Sequence, residues 1–409
     1  MSKKKVKPGV EVFLSGDLSR LKGRNIALVS NYSATDSSLV PTIELLNNKP
    51  DLNISTLLAP EHGLWGKFQA GENVPLQKDK RTGLPVLSLY DQSNPKSIKL
   101  PDNTDERMRT FDISDTGKKI NKLALKDIDT IILDLQDVGT RIYTYISTMG
   151  YLMESISGTE KELIILDRPN PITGSYIEGP MLEYPEYSSF VGFYSIPVRH
   201  GMTIGELALL FNREIYSSNV NLSIVSVENW ERKIWFDQTG LQWVKPSPNL
   251  PSLTSAIVYP GMVFLEGTNI SEGRGTTNPF EVFGAPWMEG MTVSEELNRK
   301  HLKGVKFVET FFRPSFSKYS GEDCSGVKMF VIDRNEFSPF ETMLNIISVI
   351  KKTSPDNLII HKKYFDMIAG NSWISQKIDN GSAVNSIVGS YQDGLSEFSE
   401  YRKKYLLYD

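Results

Sequence analysis

Thr130-Ile-Ile-Leu-Asp-Leu-Gln-Asp-Val-Gly139 is a short β-branched apolar run that ends abruptly in acidic residues and glycine. Its apolar character is continuous rather than alternating. That suits a strand buried on both faces, and such strands are parallel and covered by helices. The pattern recurs at Asn25 to Ser30, Ile54 to Ala59, Val86 to Tyr90 and Leu163 to Leu166. Helical patterns such as Leu39 to Leu46 and Ile142 to Ser155 fall between the runs, so an α/β fold on a mostly parallel sheet is expected. A capping box at Thr203-x-x-Glu206 predicts a helix through Leu207, Leu210 and Phe211.

At 409 residues the chain exceeds what one core ordinarily needs. The proline-rich interval Lys245 to Pro251 interrupts all periodicity, so we expect one domain over residues 8–250 and a smaller α/β or α+β domain over 251–409. For the second domain the sequence predicts a capping box at Thr292-x-x-Glu295. Strands at Val305 to Phe312 and Lys328 to Ile332 and helices near Glu341 to Lys351 and Leu395 to Tyr405 are also expected. No internal repeat, heptad or low-complexity tract is visible.

A hydrophobic fraction of 40% and a charged fraction of 23% are ordinary globular values. The net charge of -4 offers no field for nucleic acid, and the compact basic run, Lys3 to Lys5, reads as a solvated tail. The single cysteine, Cys324, excludes an intramolecular disulfide and reads as a small buried residue. No apolar stretch approaches the ~18 residues that would cross a membrane. The basic opening is not followed by an apolar segment of roughly 7 to 15 residues, so no export signal is expected. That fits a cytoplasmic protein and a chain with a replaced leader equally well.

In an open parallel sheet ligands bind beyond the carboxyl ends of the strands. Reading those ends gives Asn31-Tyr32, Pro60-Glu61-His62-Gly63, Asp134 to Gly139 and Asp167-Arg168-Pro169-Asn170-Pro171. Four carboxylates, Glu61, Asp134, Asp137 and Asp167, thus share one edge. Singly each would read as a cap or loop acceptor. Together they fit glycoside hydrolysis, in which one carboxyl group protonates the leaving oxygen and another activates water or attacks the anomeric carbon. The same cluster with His62 as a nitrogen ligand reads alternatively as the metal centre of a metal-dependent hydrolase, although no HxxxH or HxH spacing supports it. A non-catalytic glycan-binding cleft is a third reading. The loops Glu61 to Gly66 and Ser271 to Thr277 are glycine-rich enough for close backbone approach to a ligand. They match neither GxGxxG nor a P-loop, so neither a dinucleotide nor a P-loop site is expected. Trp65, Trp243 and Trp287 read either as sugar-stacking faces or as interface filler. Ser30 and Ser195 lack a nucleophile elbow.

Longer strings now become specific: Pro60-Glu-His-Gly63, Gln69-Ala-Gly-Glu72, Gln136-Asp-Val-Gly139 with Tyr143-Thr-Tyr-Ile-Ser-Thr-Met149, and Asp167-Arg-Pro-Asn-Pro171. Arg199-His-Gly-Met-Thr203, Pro246-Ser-Pro-Asn249, Glu266 to Thr277, Phe316-Ser-Lys318 and Lys404 to Tyr408 follow. In this order they resemble the NamZ-like exo-β-N-acetylmuramidases over nearly the whole chain. The resemblance implies a Rossmann-like domain carrying a catalytic glutamate in the Pro-Glu-His-Gly string, here Glu61, and an auxiliary C-terminal domain completing the cleft. It implies release of N-acetylmuramic acid from the non-reducing end of peptidoglycan fragments, without a cofactor. Many relatives of that family carry a leader peptide, whereas none is expected from the opening residues here, which leaves the compartment open.

On that basis Glu61 is expected to be the general acid, with a raised pKa beside Leu64 and Trp65. Asp137 is expected as base or as orienter of the substrate acetamido group, with Asp134, Glu266 and Glu272 behind it. The alternative is the substrate's own N-acetyl oxygen as nucleophile. N-acetylmuramic acid carries a lactyl carboxylate, so a cation is needed, and Arg141, Arg168, Arg199 and Arg274 are the candidates, Arg168 and Arg274 first. Asn31, His62, Tyr143, Asn170, His200 and Asn249 complete the expected substrate contacts.

Overall fold

The computed structural model of the chain describes residues 5–69, 72, 77–90, 120 and 122–409. Lys3 and Lys4 of the basic run and Ala70-Gly71 of the Gln69 to Glu72 string lie outside these.

Among the described residues the strands are β1 (Asn25–Ser30), β2 (Asn53–Ala59), β3 (Gln77–Lys78), β4 (Pro85–Ser88), β5 (Thr130–Asp134) and β6 (Glu162–Leu166). They continue with β7 (Glu178–Met181), β8 (Pro197–Arg199), β9 (Asn221–Val225), β10 (Val282–Ala285), β11 (Val305–Phe312) and β12 (Cys324–Val331). A seven-stranded sheet runs β3-β4-β2-β1-β5-β6-β9, parallel throughout except for β3 against β4. The chain builds from β1 outward to β4, then crosses back to start β5 on the other side. The switch point therefore lies between β1 and β5, where Ser30 stands beside Asp134. Successive residues point to opposite cores. Ala27, Val29, Ile131, Leu133, Leu163 and Ile165 face one, and Ile26, Leu28, Ile132, Ile164 and Leu166 face the other. Burial on both faces is why these strands read as unbroken apolar runs.

Beyond the sheet, the helix Leu253–Met262 is apolar all round and buried from Ser255 onward, as a helix packed on every side must be. Gly261 lies so close to Pro339 that a Cβ there would stand 2.0 Å from the Pro339 carbonyl oxygen. The turn Val263–Gly267 follows directly and carries Glu266. The second sheet, β10-β12-β11, is antiparallel. One apolar core, from Ala27 to Tyr405, runs continuously past both sheets.

The capping box at Thr203 forms as expected, Thr203 Oγ1 accepting from Glu206 N at 3.2 Å and Glu206 Oε2 from Thr203 N at 2.9 Å. The box expected at Thr292 does not. That helix begins earlier, at Gly290, and Ser325 Oγ of β12 accepts from Gly290 N at 3.0 Å. Gly290 permits this because a Cβ would stand 2.2 Å from the Gly326 carbonyl oxygen. The second box is at Ser252, whose Oγ accepts from Ser255 N at 3.0 Å. The helix expected from Leu39 starts at Thr42, because Pro41 holds its predecessor out of helical conformation. Past β12 come Pro339–Thr353, Lys362–Ala369, Trp373–Asp379, Val384–Gly389 and Gln392–Tyr401, of which the sequence suggested only the first and last.

The last turn, Arg402–Tyr405, brings the tail back to the large sheet. Arg402 Nη1 donates to the carbonyls of Gly174, His200 and Gly201 at 3.2, 3.1 and 2.7 Å. Tyr408 OH donates to Asp167 Oδ2 at 2.5 Å and accepts from Val227 N at 2.9 Å.

The hairpin β7–β8 carries Glu178, whose Oε1 accepts from Phe340 N at 2.9 Å and Glu341 N at 3.2 Å at the start of the Pro339–Thr353 helix. Burial pushes this carboxyl up from 4.5 to about 7, against the pull of Arg199 and the two N–H groups. A raised folded pKa favours the protonated form. Its stabilisation is complete below about pH 4.5 and is lost as pH rises through about 7. Glu178→Gln is therefore expected to gain stability relative to the wild type as pH increases across that window. Urea midpoints at a series of pH values check this, and a constant difference between the two proteins contradicts it.

Candidate active site

Immediately after β2 the chain turns back on itself. His62 and Gly63 both lie in the left-handed region, at φ 70° and 73°. For histidine this costs roughly 1–2 kcal/mol, and its Nδ1 is held by the Phe68 carbonyl at 3.0 Å. The turn sets Glu61 half-buried against the start of the Tyr145–Ile156 helix, where Thr144 Oγ1 donates to Glu61 Oε2 at 2.7 Å. Thr144 holds the capping position of that helix but makes no cap bond. Its hydroxyl is spent on the carboxylate instead. One turn on, Thr148 Oγ1 donates to the Thr144 carbonyl at 2.8 Å and shares a 2.5 Å hydrogen bond with Tyr90 OH.

Tyrosines surround Glu61. Burial pushes the hydroxyls of Tyr90, Tyr143, Tyr145 and Tyr259 above their ordinary range, and the charge of Glu61 adds to the effect in all four. Tyr145 OH accepts from Asn31 Nδ2 and donates to the Pro246 carbonyl at 2.9 Å, tying the end of β1 to the Pro-Ser-Pro-Asn string. Asn31 Oδ1 accepts from Ser33 N and Oγ at 3.1 and 2.6 Å. The Tyr143 ring packs edge-on against Tyr145 and Tyr259, at 4.8 and 6.1 Å between centroids.

Asp137 follows β5. Its Oδ2 accepts from Gly139 N at 2.7 Å, and Gly139 at φ 78° admits no side chain, since a Cβ would stand 2.5 Å from Asn170 Oδ1. His200 Nδ1 accepts from Met202 N at 3.1 Å, so the neutral ring carries its proton on Nε2. That nitrogen faces Asp137 Oδ2 at 3.5 Å, too long for a hydrogen bond. Both His200 Nε2 and Asp137 Oδ1 are buried without a hydrogen-bond partner among the described residues. Groups of this kind ordinarily have a reason to be left unsatisfied.

The third wall comes from the residues after the Leu253–Met262 helix. Glu266 accepts from Arg274 Nη2 at 2.6 Å and from Tyr364 OH at 2.8 Å. Glu272 receives Lys318 Nζ at 3.0 Å, and its other oxygen lies 3.4 Å from Arg274 Nε without hydrogen-bond geometry. Burial works against the charge on Arg274, but Glu266 and Glu272 outweigh it and hold the proton more firmly than usual. One ring joins the walls. After burial itself, the charges acting on the Tyr259 hydroxyl are those of Glu266, Arg274, Glu61 and Asp137.

The sequence pattern described as the N-terminal part of the exo-beta-N-acetylmuramidase NamZ matches residues 26–254, and its C-terminal counterpart matches residues 257–408. The chain belongs to the NamZ family. A peptidoglycan beta-N-acetylmuramidase NamZ of Bacillus subtilis (strain 168) is 44% identical over 407 residues, covering 99% of this chain and 92% of that protein. Two crystal structures of DUF1343 family proteins from Bacteroides fragilis NCTC 9343 are similar, each covering 99% of both chains. One has a TM-score of 0.86 at 34% identity, the other 0.74 at 27%.

Several residues expected at the substrate are used otherwise. Asp134 is fully buried, accepts from Thr42 Oγ1 at 2.6 Å and takes Arg168 through both oxygens, at 2.9 Å for Nη2. Arg168 is thereby neutralised. The fully buried guanidinium of Arg141 donates to the carbonyls of Pro180, Ile196, Ile368 and Ala369 at 2.7–3.0 Å. Asn170 spends its amide on Met202 O and Ile172 N at 2.9 and 3.1 Å, and Asp167 accepts from Thr203, Gly205 and Tyr408. All of these hold the strand ends together. Asn249 is joined to Gln69 at 2.9 Å. The three tryptophans have their N–H groups engaged, Trp65 by Asp79, Trp243 by the Leu250 carbonyl and Trp287 by Tyr319. Among the described residues no three His, Cys, Asp or Glu side chains form a metal-holding group. Thr144, Tyr90, Tyr145, Tyr259 and Tyr364 were not singled out from sequence. Thr144 and Tyr145 sit inside a quoted string, but nothing local marks Tyr259, which reads as one more apolar position of a buried helix.

Proposed function

We propose that the chain is an exo-acting glycoside hydrolase that releases N-acetylmuramic acid from the non-reducing end of peptidoglycan fragments. Residues 8–250 serve as its catalytic domain, and 251–409 as the auxiliary domain that completes the cleft. The observation that carries this reading is the strand-end carboxylate Glu61, held by Thr144 Oγ1 at 2.7 Å, with Asp137, Glu266 and Arg274 near enough for their charges to act on the same Tyr259 hydroxyl as that of Glu61. Membership of the NamZ family supports it.

Glu61 is the general acid. The Thr144 hydroxyl commits Oε2 to the acceptor role, so the proton that passes to the leaving oxygen sits on Oε1. Asp137 presents a buried Oδ1 without a donor among the described residues, which suits it to the acetamido N–H of the sugar or to a water at the anomeric carbon. His200, opposite Asp137, offers an Nε2 proton to the same group. Of the four arginines considered for the lactyl carboxylate, Arg274 is the one whose charge reaches the same tyrosine as Glu61.

A chromogenic β-N-acetylmuramide should therefore be cleaved faster than the matching N-acetylglucosaminide, which lacks the lactyl carboxylate. One charged hydrogen bond contributes about 1.5–3 kcal/mol, or roughly 10- to 150-fold in kcat/KM. Arg274→Lys should lower muramide cleavage more than glucosaminide cleavage. Equal wild-type rates on the two sugars would leave a broad hexosaminidase in place of the proposal.

A further inference from the structure

Glu178 and Arg199 stand directly opposite each other on β7 and β8, a position in which opposite charges ordinarily close on one another. These two make no direct ion pair. Glu178 turns to the backbone of Phe340 and Glu341, and the Glu341 carboxylate is a like charge at its side. Arg199 turns the other way. Its Nη2 donates to the Ile172 carbonyl at 2.5 Å, and the rings of Tyr176 and Trp235 lie 5.0 and 5.5 Å from its guanidinium carbon. Its Nε is buried and has no hydrogen-bond partner among the described residues. A buried cation without a direct ion pair thus neighbours a half-buried carboxyl group without one.

Both line an open-mouthed cavity of about 730 Å³, whose lining also includes Lys300, His301, Asn335 and Asn345. This space is separate from the Glu61 site. Tyr259 of the Leu253–Met262 helix faces Glu61, whereas Gly261, about 200° further round the helix, packs on Pro339, whose helix lines the cavity.

We propose that this cavity is a second binding site, for a zwitterion of the short-peptide class whose carboxylate pairs with Arg199 and whose ammonium group pairs with Glu178. Charge selects the class. Lys303 and Glu336 in the lining pair with each other at 3.2 Å, so a simple anion would meet Glu178 and Glu341 and a simple cation would meet Arg199 and Lys300. A ligand carrying both charges satisfies each wall without leaving the other buried and unpaired. The volume falls within the range of small-molecule sites and exceeds what a single amino acid fills.

Calorimetric titration of alanylalanine into the full chain, with N-acetylmuramic acid in excess, tests the proposal. One equivalent should bind. N-acetylation or C-terminal amidation of the dipeptide should each weaken binding about 10-fold or more, because each removes one charged hydrogen bond. Glu178→Gln keeps the acceptor for the Phe340 N–H. It should weaken binding of alanylalanine while leaving that of the N-acetylated form unchanged. Arg199→Lys should do the same with respect to the amidated form. Absence of binding overturns the proposal, as do equal binding of the blocked dipeptides and competition by N-acetylmuramic acid. The Glu61 chemistry stands or falls separately, on the muramide assay.

Discussion

Glu61→Gln is expected to lower muramide turnover about 100- to 10,000-fold, the range that general acid–base catalysis supplies, while the protein remains folded. The amide has the shape of the carboxyl group, and its carbonyl oxygen can take the Thr144 hydroxyl hydrogen in place of Oε2. What it cannot do is give a proton to the leaving oxygen. Reducing-sugar release under substrate saturation measures the loss, and the melting midpoint reports the fold. A variant that keeps most of its turnover removes Glu61 from the role. A loss confined to KM would make it a binding residue instead.

The second large effect concerns stability. Arg141→Met deletes a guanidinium that donates to four carbonyls, two next to β7 and β8 and two at the end of the Lys362–Ala369 helix. Each carbonyl left buried without a donor costs about 1–3 kcal/mol. Relief of the buried charge offsets part of this, since burial already presses the Arg141 pKa downward. With four carbonyls affected, the net cost is a large share of a total stability of about 5–15 kcal/mol. The variant should therefore unfold at much lower urea, while its folded fraction retains wild-type kcat/KM. A folded protein with lost muramide selectivity would return Arg141 to the substrate.

The sequence told much about the sheet and less about the use of its edge. Strands buried on both faces announce themselves as unbroken apolar runs, and five of these runs were located to within a few residues. The helices from Lys362 to Gly389 are six to eight residues long and carry too few turns for a clear period. At the strand ends, residue type was visible but partnership was not. Asp134, the last residue of β5, and Asp137, in the loop that follows, lie three positions apart. The first is consumed by Arg168 and Thr42, while the second keeps an oxygen without a donor. Only the long-range neighbours tell them apart, and the same holds for the arginines considered for the lactyl group, of which Arg141 is held by backbone carbonyls and Arg168 by Asp134. Thr144 is a related case, because a threonine at a helix start reads as a cap until the carboxylate beside it is seen.

The return of the tail to Asp167 has a consequence for biosynthesis. Tyr408 seals a strand end 241 residues upstream. At about 5–20 residues per second, roughly 12–48 s separate the emergence of Asp167 from the ribosome and that of its last hydrogen-bond donor. During that interval β6 and β9 can pair, but Asp167 lacks the Tyr408 hydroxyl and the Gly174 and Gly201 carbonyls lack the Arg402 guanidinium. The nascent large sheet is then an unfinished surface rather than a domain released complete before its successor. Closure of so long a loop is slow. Ribosome-bound chains stalled before Arg402 should be cut by protease near residues 167–174 and 200–205, and chains released with the tail should resist.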